Sequence, residues 1–408
     1  MPDAYEQFSK DQVSLSCEGQ EIVLSQGYEI QMGVLSQPGK FSLTVGHSGL
    51  VVDLMRQFKP QNEFSINVNG RKVMTGRIEG HSGKGPATTL ALSGRDALAP
   101  LFRNHIKSQL TFKEVTYAEL VQRALTACGI TSELVASNDA NRKAITGKSE
   151  ITKTETQEVT AADGTSTSGV TTKTVLSYKT IQAEIGPTWW DFLREQLDRA
   201  GLCLWASFDG KIVLSKPTTA QEPIYRIVKQ FEPGGAVAAV NFTDYEYRNS
   251  TESRYAECIV YGKAGGGKEG HQPISGSFTD TEMTSYMGGR PNVLSIRDKN
   301  AKTKEQCEFL ARRRIAEINR NQIALAYTIP GHSTIGIGGK RIVWCPDTIV
   351  HVTDQALGID REYYIERLVF SRKPQTSTTI HLMRPEDMLV GTKLPESKLH
   401  KSSLVEAS

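Results

Sequence analysis

Gly46-His47-Ser48-Gly49 and Gly80-His81-Ser82-Gly83 are the first places along the chain where a serine nucleophile could stand. Neither has the glycine spacing that lifts a serine onto a strand–helix elbow, and Lys84 does not complete a phosphate loop behind the second, so both read as turns. His47, His81, His332 and His351 lie in or near turn contexts with no His-Glu-x-x-His, which leaves a zinc hydrolase without its anchoring motif. Asp347 and Asp354 lie on a strand–turn segment. A carboxylate pair there could cleave a glycoside, although capping turns is the commoner use of such aspartates. Arg312, Arg313 and Arg314 could meet phosphate, but they fall on an amphipathic helix whose charged face is solvated by default. No residue is assigned a catalytic, cofactor-binding or metal-ligating role.

The totals narrow the function classes further. The 6 cysteines, at 17, 128, 203, 258, 307 and 345, are scattered without a C-x-x-C and are expected as reduced thiols. Net charge is +3, from 48 basic and 45 acidic residues, so the chain as a whole exerts no long-range pull on nucleic acid or anionic lipid. Residues 1–12 lack a basic stretch followed by an apolar core, and nowhere do about 18 apolar residues run together. Folding in the cytoplasm without stable membrane insertion is expected. At 408 residues the chain exceeds one ordinary core and suggests two to three domains.

The elements that must position these residues are mostly strands. Residues 11–93 form short β-rich runs broken by Gly, Pro and Asn, with Asn69-Gly70 as a strong hairpin turn. A capped helix follows, from Thr116 to a stop at Gly129. "PTWWDFLREQLDRAGLCLWASFDGKIVLSKP", residues 187–217, reads as a helix over 188–200 leading into a hairpin that turns at Asp209-Gly210. Its rings lie at helical and strand spacing, where core packing outweighs ligand stacking. Trp189, Trp190, Phe192 and Trp205, with Trp344 further on, are therefore expected as structural anchors. Between the two helices, residues 141–180 are rich in Thr alternating with charge. Such a segment is either a solvated β-ribbon, with 149–160 facing 170–181, or a flexible arm. β-rich sequence returns over 224–384, interrupted by one long helix at 302–320 with Arg312, Arg313 and Arg320 on its outer face. There is also an internal echo. Ile78-Glu79 followed by "TTLAL" at 88–92 is matched by Ile365-Glu366 followed by "TTIHL" at 378–382, as a duplicated strand–loop–strand would leave.

An ordered series of segments resembles the baseplate hub protein of Mu-like contractile-tailed phages, of the family shared with T4-type hubs and type VI secretion spike hubs. It comprises "SGRDALAPL" at 93–101, the helix and hairpin of 187–217, "YAECIVYG" at 255–262, "GGRPNVLSIRD" at 288–298, the helix 302–320, "AYTIPGH" at 326–332 and the run from Arg341 to Pro385. The likeness spans roughly residues 10–390. Two departures stand out: Asp347 where the family usually shows Asn, and the Thr-rich segment, which looks like an insertion. The resemblance implies a mainly β fold with α+β insertions. Two tail-tube-like β-barrel domains, 1–100 and 223–386, would flank a small α/β domain, 101–222, and a tail, 387–408, would follow. It further implies a homotrimeric ring, located in the virion tail baseplate and assembled in the host cytoplasm. Its partners would be the central spike protein, the tail tube or distal tail protein, and other baseplate proteins, with DNA passing through the lumen without specific binding. Two other readings stay open: a tail-associated cell-wall or polysaccharide hydrolase, and the hub of a tailocin or type VI-like secretion machine.

Overall fold

Alternation of apolar and polar residues makes strands that bury one face. Tyr28–Gly33 and Thr376–Met383 alternate buried and half-buried positions without a break. The structure, a computed structural model, describes residues 11–388 apart from 25, 36–37, 47–55, 85–88, 142–147, 161–165, 179, 264–272, 299–300 and 302. By compactness the chain divides into a larger unit, residues 1–99, 132–135 and 197–408, and a smaller one, residues 100–131 and 136–196.

The larger unit is built on one 14-stranded sheet. Its N-terminal half holds β1 (Val13–Cys17), β2 (Gln20–Val23), β3 (Tyr28–Gly33), β4 (Lys40–Gly46), β5 (Glu63–Val68), β6 (Arg71–Lys84) and β7 (Thr89–Asp96). Its C-terminal half holds β8 (Tyr225–Phe231), β9 (Val237–Val240), β10 (Asp244–Asn249), β11 (Ile323–Pro330), β12 (Thr348–Asp354), β13 (Ile359–Arg372) and β14 (Thr376–Met383). The first half pairs in the order β3-β4-β7-β6-β5-β1-β2 and the second in the order β10-β11-β14-β13-β12-β8-β9. The order repeats place for place. One direction differs: β1 runs antiparallel to β5, whereas β8 runs parallel to β12.

The Ile-Glu echo marks the same structural feature in each half. β6 and β7 slip register between Ile78 and Gly80, leaving Glu79 as a bulge, and β13 and β14 slip between Ile365 and Arg367, leaving Glu366. Opposite each bulge a residue in the left-handed region, Gln61 at φ 76° or Asp347 at φ 57°, donates its N–H to the carbonyl of Ile78 (2.8 Å) or Ile365 (3.1 Å). A bulge bends its strand and sharpens the twist, so each 14-residue strand serves different neighbours before and after it. The described part of the first threonine motif, Thr89–Leu92, and the second motif fall on corresponding strands but out of step. Ile365 faces Leu382, the last residue of its motif, whereas Ile78 faces Gly94, beyond Leu92.

Beyond its bulge, Arg367–Arg372 of β13 pairs antiparallel with Gly33–Tyr28 of β3 and makes the sheet continuous from one half to the other. The two separate closed barrels that were expected are not seen among the described strands. Among the described strands neither half closes on itself: the outer edge of β3 bonds β13 instead of β2, the far strand of its own half, and β10 does not pair with β9, the far strand of the other. One core lies under both halves, with Leu15, Ile30, Phe41 and Ile66 from the first and Tyr225, Trp344, Val350, Ile365 and Phe370 from the second.

Between β10 and β11 the chain forms a three-stranded sheet (Glu257–Lys263, Pro273–Thr279, Val293–Arg297) covered by the helix Lys304–Gln322. Thr303 and Gln306 close a capping box on that helix. Cys258, Val260, Cys307, Ala311 and Ile315 fill the space between. Helix and sheet approach so closely that a Cβ at Gly276 would sit 2.5 Å from the Glu308 backbone nitrogen.

In the smaller unit, the helix Tyr117–Ala127 starts at the expected Thr116, with a full capping box to Glu119, and buries Leu120, Val121, Ala124 and Leu125. Leu110–Lys113 pairs with Thr180–Ala183. The Thr-rich segment is a ribbon in which Lys148–Thr160 faces Ser166–Tyr178 along its whole length, a register shifted from the expected 149–160 with 170–181. The hairpin Cys203–Ala206 and Ile212–Ser215, expected with the small domain, falls within the larger unit. Its turn is longer than a two-residue Asp-Gly loop, because Ser207 bonds the carbonyl of Lys211 across residues 207–211.

Candidate functional site

Two buried polar clusters in the larger unit hold most of the charge that the fold removes from water. The first lies at the join of the two halves. Asp11, just ahead of β1, accepts hydrogen bonds from the His332 backbone N–H, from Asn69 Nδ2 (2.5 Å), Ser333 Oγ (2.9 Å) and Arg341 Nη2 (2.8 Å). His332 follows Gly331, whose φ of 75° turns the chain out of β11. Its ring stacks on Phe370 at 4.6 Å. Thr378 Oγ1 donates to the Gly331 carbonyl (2.6 Å) and so accepts from His332 Nδ1 (3.0 Å), which leaves Nε2 to accept from the Tyr28 hydroxyl (2.7 Å). The imidazole is thereby held neutral. Burial, only partly opposed by the nearby Asp11 charge, pushes its pKa well below the ordinary 6.5. Burial alone would raise the Asp11 carboxyl, but its hydrogen bonds outweigh this and hold it below 3.8.

The second cluster pins the long helix. Arg254 is buried and donates to Asn319 Oδ1 (2.9 Å), Asn249 Oδ1 (2.8 Å), Asp280 Oδ2 (3.1 Å) and Glu282 Oε2 (2.9 Å). Arg384 donates to the same Glu282 oxygen (2.7 Å) and to Asp387 (2.5 Å). Burial would lift the Glu282 carboxyl, yet hydrogen bonds from Arg254, Tyr286 and Arg384 overcome it and bring the pKa down to about 2. A cleft of about 440 Å³ opens beside these groups. They are structural counter-ions, already engaged with one another. Sequence reasoning missed this cluster, though a signal existed: Asn319 continues the four-residue stripe Cys307, Ala311, Ile315, where a polar residue must find a buried partner. Arg320, expected on the outer face, instead donates to the Asp387 carbonyl at 2.6 Å.

The residues singled out for chemistry are not brought together. Asp354 accepts from the Tyr327 hydroxyl (3.0 Å) and from the N–H groups of Ala356 and Leu357, a turn cap. Asp347 accepts from Thr218 N–H and the Tyr364 hydroxyl, both at 2.9 Å, and its left-handed backbone is one that Asp and Asn tolerate. The two carboxylates share no described partner. Gly80–Gly83 is not a turn, as expected, but part of β6, because pairing with β7 resumes after the bulge. His81 Nδ1 lies 3.0 Å from the Phe58 carbonyl. His47 and Ser48 lie outside the described residues. Arg312 lies over Phe278, and Arg314 pairs with Glu317 at 2.7 Å. Among the described residues, no group of His, Cys, Asp and Glu could hold a metal ion, and no helix is long and apolar enough to cross a membrane.

The aromatic residues divide between the units. In the smaller, Trp190 stacks on Phe102 (4.2 Å), Trp189 meets Phe192 edge-on (6.1 Å), and Phe192 lies over Phe112 (6.0 Å). In the larger, Trp205 packs with Val34, Ile349, Tyr364 and Met388. Trp344, fully buried, stacks on Tyr225 at 4.3 Å.

No family model and no curated protein sequence matches the chain. Solved structures do. The 43 kDa tail protein of prophage MuSo2 from Shewanella oneidensis is 18% identical, with a TM-score of 0.68 over 93% of this chain and 99% of that one. A tail protein from Neisseria meningitidis MC58 is 19% identical, with a TM-score of 0.66 over 93% and 99%. An Escherichia coli component of the type VI secretion system, itself similar in structure to bacteriophage T4 tail proteins, is 10% identical, with a TM-score of 0.50 over 91% and 76%. The chain has a tail-protein fold. That agrees with the likeness to Mu-like phage tail proteins carried by its residues.

Two outcomes test the packing of this fold. A histidine whose folded pKa is depressed stabilises the fold above its unfolded pKa, and that stability is lost as pH falls. The urea midpoint should therefore drop as pH is lowered below about 6.5, and His332→Gln should flatten that limb. We infer that Trp205 anchors the hairpin. Trp205→Ala should then lower stability by about 3 to 5 kcal/mol, read by chemical denaturation.

Proposed function

We propose that the protein is the structural hub of a contractile-tail baseplate, a homotrimer that adapts a sixfold tail tube to a threefold central spike. The observation that carries this reading is the repeated strand order, β3 to β2 matched by β10 to β9. Two equivalent halves per chain become six when three chains assemble, which is what a join between sixfold and threefold symmetry requires. The likeness in fold to prophage tail proteins supports the same role. Its partners are the central spike, the tail tube or distal tail protein and other baseplate proteins, with DNA passing through the lumen without specific contacts. The work is mechanical and needs no turnover chemistry. Asp347 and Asp354 each hold separate partners, which favours the structural reading over the hydrolase.

The fold of the E. coli secretion component favours a second setting, a type VI-like or tailocin machine, for the same adaptor role. Neighbouring genes for a tape measure and a spike would separate the settings. The Thr-rich ribbon (Lys148–Thr160 with Ser166–Tyr178) is a two-stranded hairpin, and such hairpins are marginal alone in water. It serves as an arm ordered against a neighbouring subunit or another baseplate protein. Light scattering of the purified protein should give the mass of a trimer. Deleting residues 149–176 should preserve that mass while lowering incorporation into tails. A stable monomer or dimer at micromolar concentration would contradict the hub, and normal tail assembly without the ribbon would contradict the arm.

A further inference from the structure

The turn Asn69-Gly70 between β5 and β6 is exposed, yet its asparagine belongs to the buried cluster around Asp11. The side-chain amide is held at both ends. Nδ2 donates to Asp11 Oδ1 (2.5 Å), and Oδ1 accepts from the Gln12 N–H (3.0 Å). The Asn69 N–H in turn donates to the Gln12 carbonyl (2.8 Å), so residues 11 and 12 grip the turn from both side chain and main chain. Gly70 is less constrained. Among the described residues its N–H has no hydrogen-bond partner, and a Cβ placed on it would meet nothing within 4 Å.

An asparagine before glycine carries a reaction of its own. With no side chain in the way, the Gly70 nitrogen can attack Asn69 Cγ. The new N–Cγ bond closes a cyclic imide as the Cγ–Nδ2 bond breaks, and the Gly70 amide proton passes through solvent to the departing nitrogen, which leaves as ammonia. Water then opens the imide. Addition at Cγ gives an aspartyl side chain, and addition at the main-chain carbonyl gives an isoaspartyl linkage. Solvent water is the only co-reactant. The fold opposes the first step, because the attack needs Cγ to turn toward Gly70 while residues 11 and 12 fix the amide in place. It opposes the second as well. Asp11 is ionised, since its hydrogen bonds outweigh burial, and so it has no proton to give the leaving nitrogen.

We propose that Asn69 is a site of spontaneous deamidation, guarded in the folded chain by Asp11 and Gln12, and that its conversion disables the cluster joining the two halves. The product puts a carboxylate where Asp11 now accepts from an amide. Two carboxylates at hydrogen-bond distance cannot both ionise without cost. Arg341 is the cationic side chain that bonds Asp11, and it already serves the existing charge, while the neutral His332 ring adds none. The repulsion therefore falls on the contacts of Asp11 with His332 and Ser333, which tie the start of β1 to the turn after β11. A chain that lingers unfolded acquires a defect that the folded chain avoids.

The test follows the purified full chain in mildly alkaline buffer, folded and in urea, by mass spectrometry of the peptide that spans residues 69 and 70. Conversion should be at least about tenfold faster in urea, the factor that one hydrogen bond to a charged group is worth. Asp11→Ala in native buffer should move the folded rate toward the unfolded one; if that variant does not fold, the comparison of the two states still decides. Asn69→Asp makes the product from the start, on a left-handed backbone that aspartate tolerates as asparagine does. It should lower the urea midpoint in neutral buffer, and its gap from the unmodified protein should narrow in acid, where a proton shared by the two carboxyls replaces the lost donor. Asn69→Ala removes the donor without adding charge and should show no such narrowing. Equal rates in the folded and unfolded chain, or no conversion in urea, would overturn the guarded site. An unchanged midpoint in Asn69→Asp would overturn its effect on the cluster.

Discussion

Antiparallel pairing of Arg367–Arg372 with Tyr28–Gly33 is the contact on which the rest of the larger unit depends. It joins residues far apart in sequence, so its closure entropy must be offset by what the join buries. Tyr28, Ile30, Leu368 and Phe370 meet in one core. Polar bonds then fix the register. Tyr28 and Thr378 hold the two nitrogens of His332, and Asp11 gathers Asn69, Ser333 and Arg341 around the same point. A slip of one residue would turn Tyr28 and Ile30 toward solvent. It would also strand buried donors and acceptors at about 1 to 3 kcal/mol each.

The bulges at Glu79 and Glu366 make this architecture repeatable. Each lets a long strand pair with one neighbour before the bend and another after it. The same device in both halves produces the same strand order, and the Arg254 cluster holds the inserted helix without altering that order. A chain of this kind has two halves with the same strand order.

Local grammar was legible in the sequence. Thr116 and Glu119 announce a capped helix, Asn69-Gly70 gives a hairpin with φ values of 52° and 76°, and the Ile-Glu echo marks the repeated bulge. Non-local choices were not legible. Nothing within Tyr28–Gly33 says that its partner is β13 instead of a strand of its own half, so closed barrels were the natural expectation. Gly80–Gly83 has turn composition, yet it is a strand because β7 supplies its hydrogen bonds. The Arg254 cluster draws on residues from five separate segments and left only Asn319, a polar residue in an apolar stripe, as a trace. Asp209-Gly210 misled for a simpler reason, since Ser207 and Lys211 close the loop outside that pair.

The central claim is that this chain is half-repeated so that few copies can form a ring with twice their number of equivalent parts. Electron microscopy of the purified protein, averaged in views down the ring axis, measures this directly. The account predicts a closed ring with three chains and six similar lobes around a central channel. Particles without a channel, or a ring in which the two halves of each chain occupy unlike positions, would contradict it.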